Sequence, residues 1–430
     1  MKNQKSIKLN YIMNCILTAS SMIFPLLSYP YVSRILQPEG MGKVAFANSV
    51  IAYFAMIAMM GIPTYGIRAC ARVRDDRHKL SAVVWELLTL NLIMTMLTYL
   101  VFGISLFLVP RFAEDKVLFV VMGISILFQM IGVEWLFKAL EEYSYITVRS
   151  LIFKVIALVM MLLCIREKED YVIYGALTML AGVGSNICNV IRMRKLVEPF
   201  GTVIGKRTGS TIRQFAKNAC TKHIKPVAVF FAMTAATTIY TNLDVAMLGF
   251  MSGDAEAGYY SAAVKIKGVL VSFVTALGSV MLPRMSYYAE QNKRREFRSM
   301  IKKAFVFVGL TSVPLSIFFA IFAKPSIFIL SGEAFLPAVQ PMQIIMPTLV
   351  LIGFSNLCGI QILVPLGMEK QVLYSEMAGA VTDVCINLWL IPSMGASGAA
   401  VGTLVAEAVV LLYQAFVLIR HIQSERIRRM

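Results

Sequence analysis

Histidine, charge and long connecting loops are all scarce in this sequence, and each shortage removes a class of protein. Three histidines occur, His78, His223 and His421, all in basic segments and none with a second ligand at metal-binding spacing. No G-x-S-x-G turn is present, which removes the common serine-nucleophile arrangement of hydrolases. The stretch GTVIGKRTGS from Gly201 places three residues between its glycines where a phosphate-binding loop needs four, and no strand precedes it. Neither a metal nor a cofactor is therefore expected. The seven cysteines are odd in number and lie, apart from Cys164, in apolar runs or basic loops, so no disulfide framework is implied. Charged residues make up only 15% of the chain against 58% hydrophobic, and the mean hydropathy is +0.71. A soluble core cannot absorb that much apolar surface.

What the sequence does have is length without charge. Twelve apolar windows run over residues 11–32, 44–66, 83–109, 117–137, 146–165, 172–191, 226–250, 260–283, 304–323, 338–364, 371–391 and 397–419, here called helices 1 to 12. Each is close to the roughly 20 residues that a helix needs to span the hydrocarbon layer. A membrane barrel would alternate apolar and polar residues over segments of about 10. These windows are apolar all round, which leaves helices. Lys2, Lys5 and Lys8 precede helix 1 as the charged end of a signal peptide would, but the apolar run is long and Tyr29-Pro-Tyr follows it in place of a small-residue cleavage site. Helix 1 is expected to be retained.

The formal net charge of +17 invites a nucleic-acid reading until its placement is examined. If both termini are cytoplasmic, the cytoplasmic segments, with Arg149 at the mouth of helix 5 counted among them, hold 31 Lys and Arg, the opposite segments 7, and three more (Lys154, Lys265, Lys267) fall inside windows. That is the positive-inside bias of a multi-pass protein of the cell membrane, and no nucleic-acid partner is expected. The outer loops are short, the longest being 324–337, and leave no room for a catalytic domain.

The basic segment 192–225 divides the windows into two sets of six. The expected organisation is an N-terminal half over 1–205, a basic cytoplasmic linker over 206–225 and a C-terminal half over 226–430. An offset of about 216 residues lays helices 1 and 2 on helices 7 and 8, and pairs Gly42 with Gly258, Arg68 with Arg284 and Gly182 with Gly398. Six is an even number, so the halves share one orientation and would be related by a pseudo-two-fold axis along the membrane normal, a common transporter plan. The fold class expected is an all-α integral membrane protein of about 12 transmembrane helices.

A charge at bilayer depth costs about 2.5 to 3.5 kcal/mol on insertion scales, so each one kept there needs a partner, a wet cavity or a ligand. Asp244 lies in helix 7 beside Asn242, with Lys265 and Lys267 in helix 8, and the hairpin would let Asp244 approach Lys265. Arg34 ends helix 1, Lys154 lies in helix 5 with Arg149 at its mouth, and Arg68 and Arg284 close helices 2 and 8. Glu86, Glu134, Glu376, Asp383 and Glu407 are the remaining carboxylates of the windows. Glu376 and Asp383, seven apart, share a helix face and could take up a proton during transport or serve as neutral hydrogen-bonding groups. Structural pairing and interfacial anchoring are alternative roles for all of these charges. Tyr259 and Tyr260 read as interfacial aromatics.

Two segments carry a resemblance. PYVSRILQPEGMGKVAFANSV, from Pro30 to Val50, and TNLDVAMLGFMSGDAEAGYYSAAVKI, from Thr241 to Ile266, resemble the oligosaccharide, or O-antigen, flippase family, part of the superfamily that also holds multidrug extruders and the lipid II flippase. The Pro30 segment is similar to its helix 1 exit, here Arg34, Leu36, Pro38 and Gly42, with Gln37 where glycine is common. The Thr241 segment is similar to its helix 7 and 8 hairpin, here Asp244, Leu248, Gly249, Gly258, Tyr259 and Tyr260.

The resemblance implies a flippase, not an enzyme, that moves polyprenyl-pyrophosphate-linked oligosaccharide repeat units to the outer face by alternating access. A cationic cavity formed from Arg34, Lys154, Lys265, Lys267, Arg68 and Arg284 would hold the pyrophosphate, since arginine binds phosphate oxygens in bidentate fashion. Asp244, Asn242, Asp383 and Glu407 would serve gating or coupling to a proton or sodium ion. Membrane lipid, a polysaccharide polymerase and glycosyltransferases are the expected partners. The rival reading is an ion-coupled multidrug extruder of the same superfamily, whose cationic drugs call for an acidic, aromatic cavity.

Overall fold

A computed structural model describes residues 7–206, 212–291 and 293–427. Its regular elements are all helical, with no strand among the described residues. Lys2, Lys5 and residues 207–211 of the expected linker lie outside this set.

Eight helices among the described residues are long and apolar enough to cross a bilayer, or nine when the bent pair Glu333–Ile345 and Thr348–Leu363 is taken as one span. Two of the eight are double lengths. Leu9–Ala71 holds 63 residues, which at 1.5 Å each would reach roughly 95 Å, about three times the hydrocarbon thickness. It breaks at Gln37, where φ is 61°, and a proline at 38 disfavours the helical conformation in the residue before it. Glu369–His421 breaks likewise at Gly395, where φ is 53°, three residues after Pro392. Divided at these breaks, and joined by Asp254–Glu290 with its two lysines, the described helices supply the twelve expected spans.

The boundaries differ from the windows where charge, not backbone, ended them. Helix 2 resumes directly after Gln37 although Glu39 and Lys43 follow. Helix 7 begins at Ile212, inside the stretch expected as linker, and Phe200–Lys206 is helical too. Helix 4 stops at Gly132 and restarts at Glu134 through Val133, which is left-handed at φ 38°. In the turn before helix 3, Asp76 caps Arg77–Leu108 by accepting the Lys79 N–H at 3.0 Å. That bond holds the Asp76 carboxyl below the usual carboxylate range, so the cap persists at neutral pH and is lost only as pH falls through the lowered value.

Burial is distributed as lipid demands. Trp389 is 78% exposed and Phe107 74%, while Asp383 is 2% exposed and Asn387 fully buried. In water such a surface would drive association; against acyl chains it is the favourable one, and polar groups turn inward to find partners.

The chain forms two compact units, one of residues 1–36 and 47–238, the other of 37–46 and 239–430. The ten residues 37–46 thus belong with the C-terminal unit despite their early position. Inside that unit Gly42 lies against the carbonyl of Asp254, and Gly258 against the carbonyl of Pro38. A Cβ at either glycine would collide with backbone, which cannot swing aside as a side chain can. Phe46 covers Gly249 and meets Phe250 edge-on with ring centroids 5.0 Å apart. The two sequence motifs are therefore halves of one packing interaction.

Candidate functional site

The C-terminal unit buries a polar cluster built from pairs four residues apart, the spacing that puts two side chains on one helix face. Helix 7 supplies Tyr240 and Asp244, helix 11 Asp383 and Asn387, and helix 12 Thr403 and Glu407. Helix 8 adds Tyr260 and, seven residues on, Lys267.

Asp244 is the hub. Its Oδ1 accepts from Asn387 Nδ2 at 2.6 Å, and its Oδ2 accepts from Thr403 Oγ1 at 2.9 Å and from the Tyr260 hydroxyl. The same Asn387 amide lies 3.3 Å from Asp383 Oδ1, and Tyr240 donates to Glu407 Oε1 at 2.6 Å. Lys267 lies within electrostatic reach of all three carboxylates, Glu407, Asp244 and Asp383. One ammonium facing three buried carboxyl groups leaves this region short of positive charge whenever they are ionised. Gly402 makes room for the cluster, because a Cβ there would run into Asn387 Oδ1 and Asp383 Oδ1. Asn387 Oδ1 is itself buried without a hydrogen-bond donor.

Sequence expectations are met unevenly here. Asp244, Asp383 and Glu407 do converge, and the charge of Lys267 reaches Asp244. Tyr260 requires a correction: it is not an interfacial aromatic but 2% exposed, with its hydroxyl on Asp244. Asn242 is half-buried and donates to Thr241 Oγ1 at 3.0 Å. Lys265 is half-buried on helix 8. Asn387, Thr403 and Tyr240 were not singled out by the sequence, because neutral polar residues are common in membrane helices; their fourfold spacing from Asp383, Glu407 and Asp244 was the available signal.

The other candidate cations are divided between the units. In the N-terminal unit Arg34 is exposed, with Nη1 on the Pro30 carbonyl at 2.6 Å, and Arg68 is exposed at the end of helix 2. Lys154 is buried, and its ammonium donates to Ser20 Oγ at 2.8 Å and Ser21 Oγ at 2.9 Å. One turn earlier Arg149 is buried against Glu134 at 3.2 Å, Asn186 Oδ1 at 2.9 Å and the Ser185 carbonyl. In the C-terminal unit Arg284 is exposed and lines a cavity near the start of helix 9.

Another buried cluster went unread in the sequence. Glu86 of helix 3 accepts from Lys222 at 2.7 Å and contacts His223 Nε2 at 2.8 Å, while His223 Nδ1 meets the Tyr65 hydroxyl at 2.8 Å. His223 is 2% exposed because helix 7 starts eleven residues before it, not after it. Among the described residues no group of three or more His, Cys, Asp or Glu is arranged to hold a metal ion.

The chain resembles known proteins over nearly its whole length. Over 408 residues the chain is 24% identical to the "Putative O-antigen transporter" of Escherichia coli (strain K12), covering 95% of both chains. A solved structure of the lipid II flippase MurJ, in an inward closed conformation, superposes with a TM-score of 0.73 at 14% identity, over 95% of this chain and 87% of that one. An inward-facing multidrug resistance MATE family transporter of the MOP superfamily superposes with a TM-score of 0.67 at 13% identity, over 96% of this chain and 98% of that one. At such identities the superpositions establish the fold alone. The MatE family profile matches residues 230–389, and that of the polysaccharide biosynthesis protein family matches residues 7–289. With about two thirds of its length inside the latter match, this membrane-spanning chain belongs to the polysaccharide biosynthesis protein family.

Proposed function

We propose that the protein is a flippase that carries polyprenyl-pyrophosphate-linked oligosaccharide repeat units from the cytoplasmic to the outer face of the bacterial cell membrane, for polysaccharide assembly. Both termini are cytoplasmic in this reading. The halves 1–205 and 226–430, joined by 206–225, rock about the cargo in alternating access, and a polymerase and glycosyltransferases act on either side of the step. Family membership and the O-antigen transporter relative support it.

The observation that carries the choice of cargo is Lys154. A buried ammonium held by two serine hydroxyls, with Glu134 within electrostatic reach but no carboxylate at ion-pair distance among the described residues, is suited to an anion. Arg34, Arg68, Lys265, Lys267 and Arg284 are the further cations of that path. The buried cluster of Asp244, Asp383 and Glu407, near Asn242, is the coupling site for a proton or a sodium ion. For sodium, the undonated Asn387 Oδ1 and the Asp383 and Asp244 carboxylates supply hard oxygen ligands.

Purified protein in proteoliposomes distinguishes this from drug extrusion, the reading that the MatE match and the acidic cluster favour. Translocation of a fluorescent polyprenyl-pyrophosphate oligosaccharide is expected, without uptake of organic cations. Organic-cation transport with no movement of the glycolipid would replace the flippase by an extruder, and glycan elongation by the purified protein would make it an enzyme.

A further inference from the structure

The cavity of about 540 Å³ between the end of helix 8 and the start of helix 9 has a chemistry unlike any other part of the molecule described above. Arg284, Arg295 and Lys303 line it, together with Tyr288, Ser299 and one carboxylate, Glu296. Three cations and two hydroxyl donors against a single acid form a lining suited to a phosphate group, with arginine forks for its oxygens. The surrounding stretch 284–303 repeats the bias, with seven Lys and Arg against two Glu.

The position of the cavity says how a phosphate would arrive. Its wall includes Met300, which packs with Phe297 and Ile301 on an apolar cluster of Met281, Met285 and Leu357. The Tyr287 and Tyr288 rings lie 5.9 Å apart at its edge, and tyrosines concentrate at headgroup depth, where one end of the ring is apolar and the other wet. Met300 is the one aliphatic side chain of the lining, and a basic pocket beside tyrosines suits the depth at which lipid phosphates lie.

We propose that this cavity is a binding site for a lipid-borne phosphate group, on the face that the charge bias assigns to the cytoplasm. The lipid is either a resident anionic phospholipid or a polyprenyl pyrophosphate. Arg284 also belongs to the proposed cargo path, so a polyprenyl pyrophosphate here would rest on the flippase reading, whereas a resident phospholipid requires only that the chain span a membrane.

The test uses delipidated full-length protein in detergent, with four probes: short-chain phosphatidylglycerol, short-chain phosphatidylcholine, farnesyl pyrophosphate and inorganic phosphate. Phosphatidylglycerol or farnesyl pyrophosphate binds to the wild type, and whichever binds more tightly identifies the source. The double variant Arg295→Gln/Lys303→Gln binds that probe about thirtyfold more weakly, the loss expected for two cations at an anionic headgroup. Glu296→Gln binds it more tightly, a gain that misfolding cannot imitate. Unchanged affinity in both variants overturns the proposal. So does inorganic phosphate or phosphatidylcholine binding as well as the anionic lipids.

Discussion

At the scale of single residues, Asp244 separates charge from packing. Asp244→Asn keeps an acceptor for Tyr260 and Thr403 and removes the negative charge, so a loss of at least about tenfold in glycan export at unchanged membrane abundance is expected if the charge is used. Normal export from that variant would leave Asp244 a packing role. Lys154→Met keeps most of the side-chain volume while deleting the ammonium held by Ser20 and Ser21; export should fall with abundance intact, and wild-type export would remove Lys154 from the cargo path. What the sequence disclosed of this cluster follows from insertion cost. A charge in an apolar run is conspicuous, and Asp244, Asp383, Glu407 and Lys267 stood out for that reason. Asn387, Thr403 and Tyr260 are cheap to insert and carry no such signal, yet they supply all three donors that hold Asp244. His223 stayed hidden because a basic surrounding read as a solvated loop, whereas the fold carries it into helix 7 and against Glu86.

At the scale of elements, the glycine contacts are the sharpest constraint. Gly258→Val would drive a side chain into the Pro38 carbonyl, and Gly42→Val into that of Asp254. Each should destabilise the C-terminal unit by about 1–3 kcal/mol, the usual cost of overpacking, read as a lower unfolding temperature in detergent. Gly103→Val, where a Cβ meets nothing, is the control and should leave that temperature unchanged. Helix number was legible because each span must carry about 20 apolar residues to satisfy its backbone inside lipid. The breaks were less so. Pro38 and Pro392 were visible, but hydropathy ends the first window before Arg34 and opens the second after Lys43, while hydrogen bonding ends a helix only where the dihedrals fail, at Gln37 and Gly395.

At the scale of the whole molecule, the distribution of 31 basic residues against 7 predicts which segments face the cytoplasm. Reporter fusions at 72–76 and 291–293, inside the basic segments 67–82 and 284–303, should give cytoplasmic signals, and fusions at 252–253 external ones; the reverse pattern would invert the proposed direction of transport. The layout of the units bears on how such a protein could be divided. Order along the chain and order in packing disagree at residues 37–46, which are made with the first helices but seated among the last. An N-terminal fragment produced alone would present this ten-residue tenon without its mortise, exposing Phe46 and the Gly42 face that Gly249 and Asp254 otherwise receive. Only when the later fragment is supplied alongside it should the first become stable in detergent, so the halves are mutually dependent even where no peptide bond joins them.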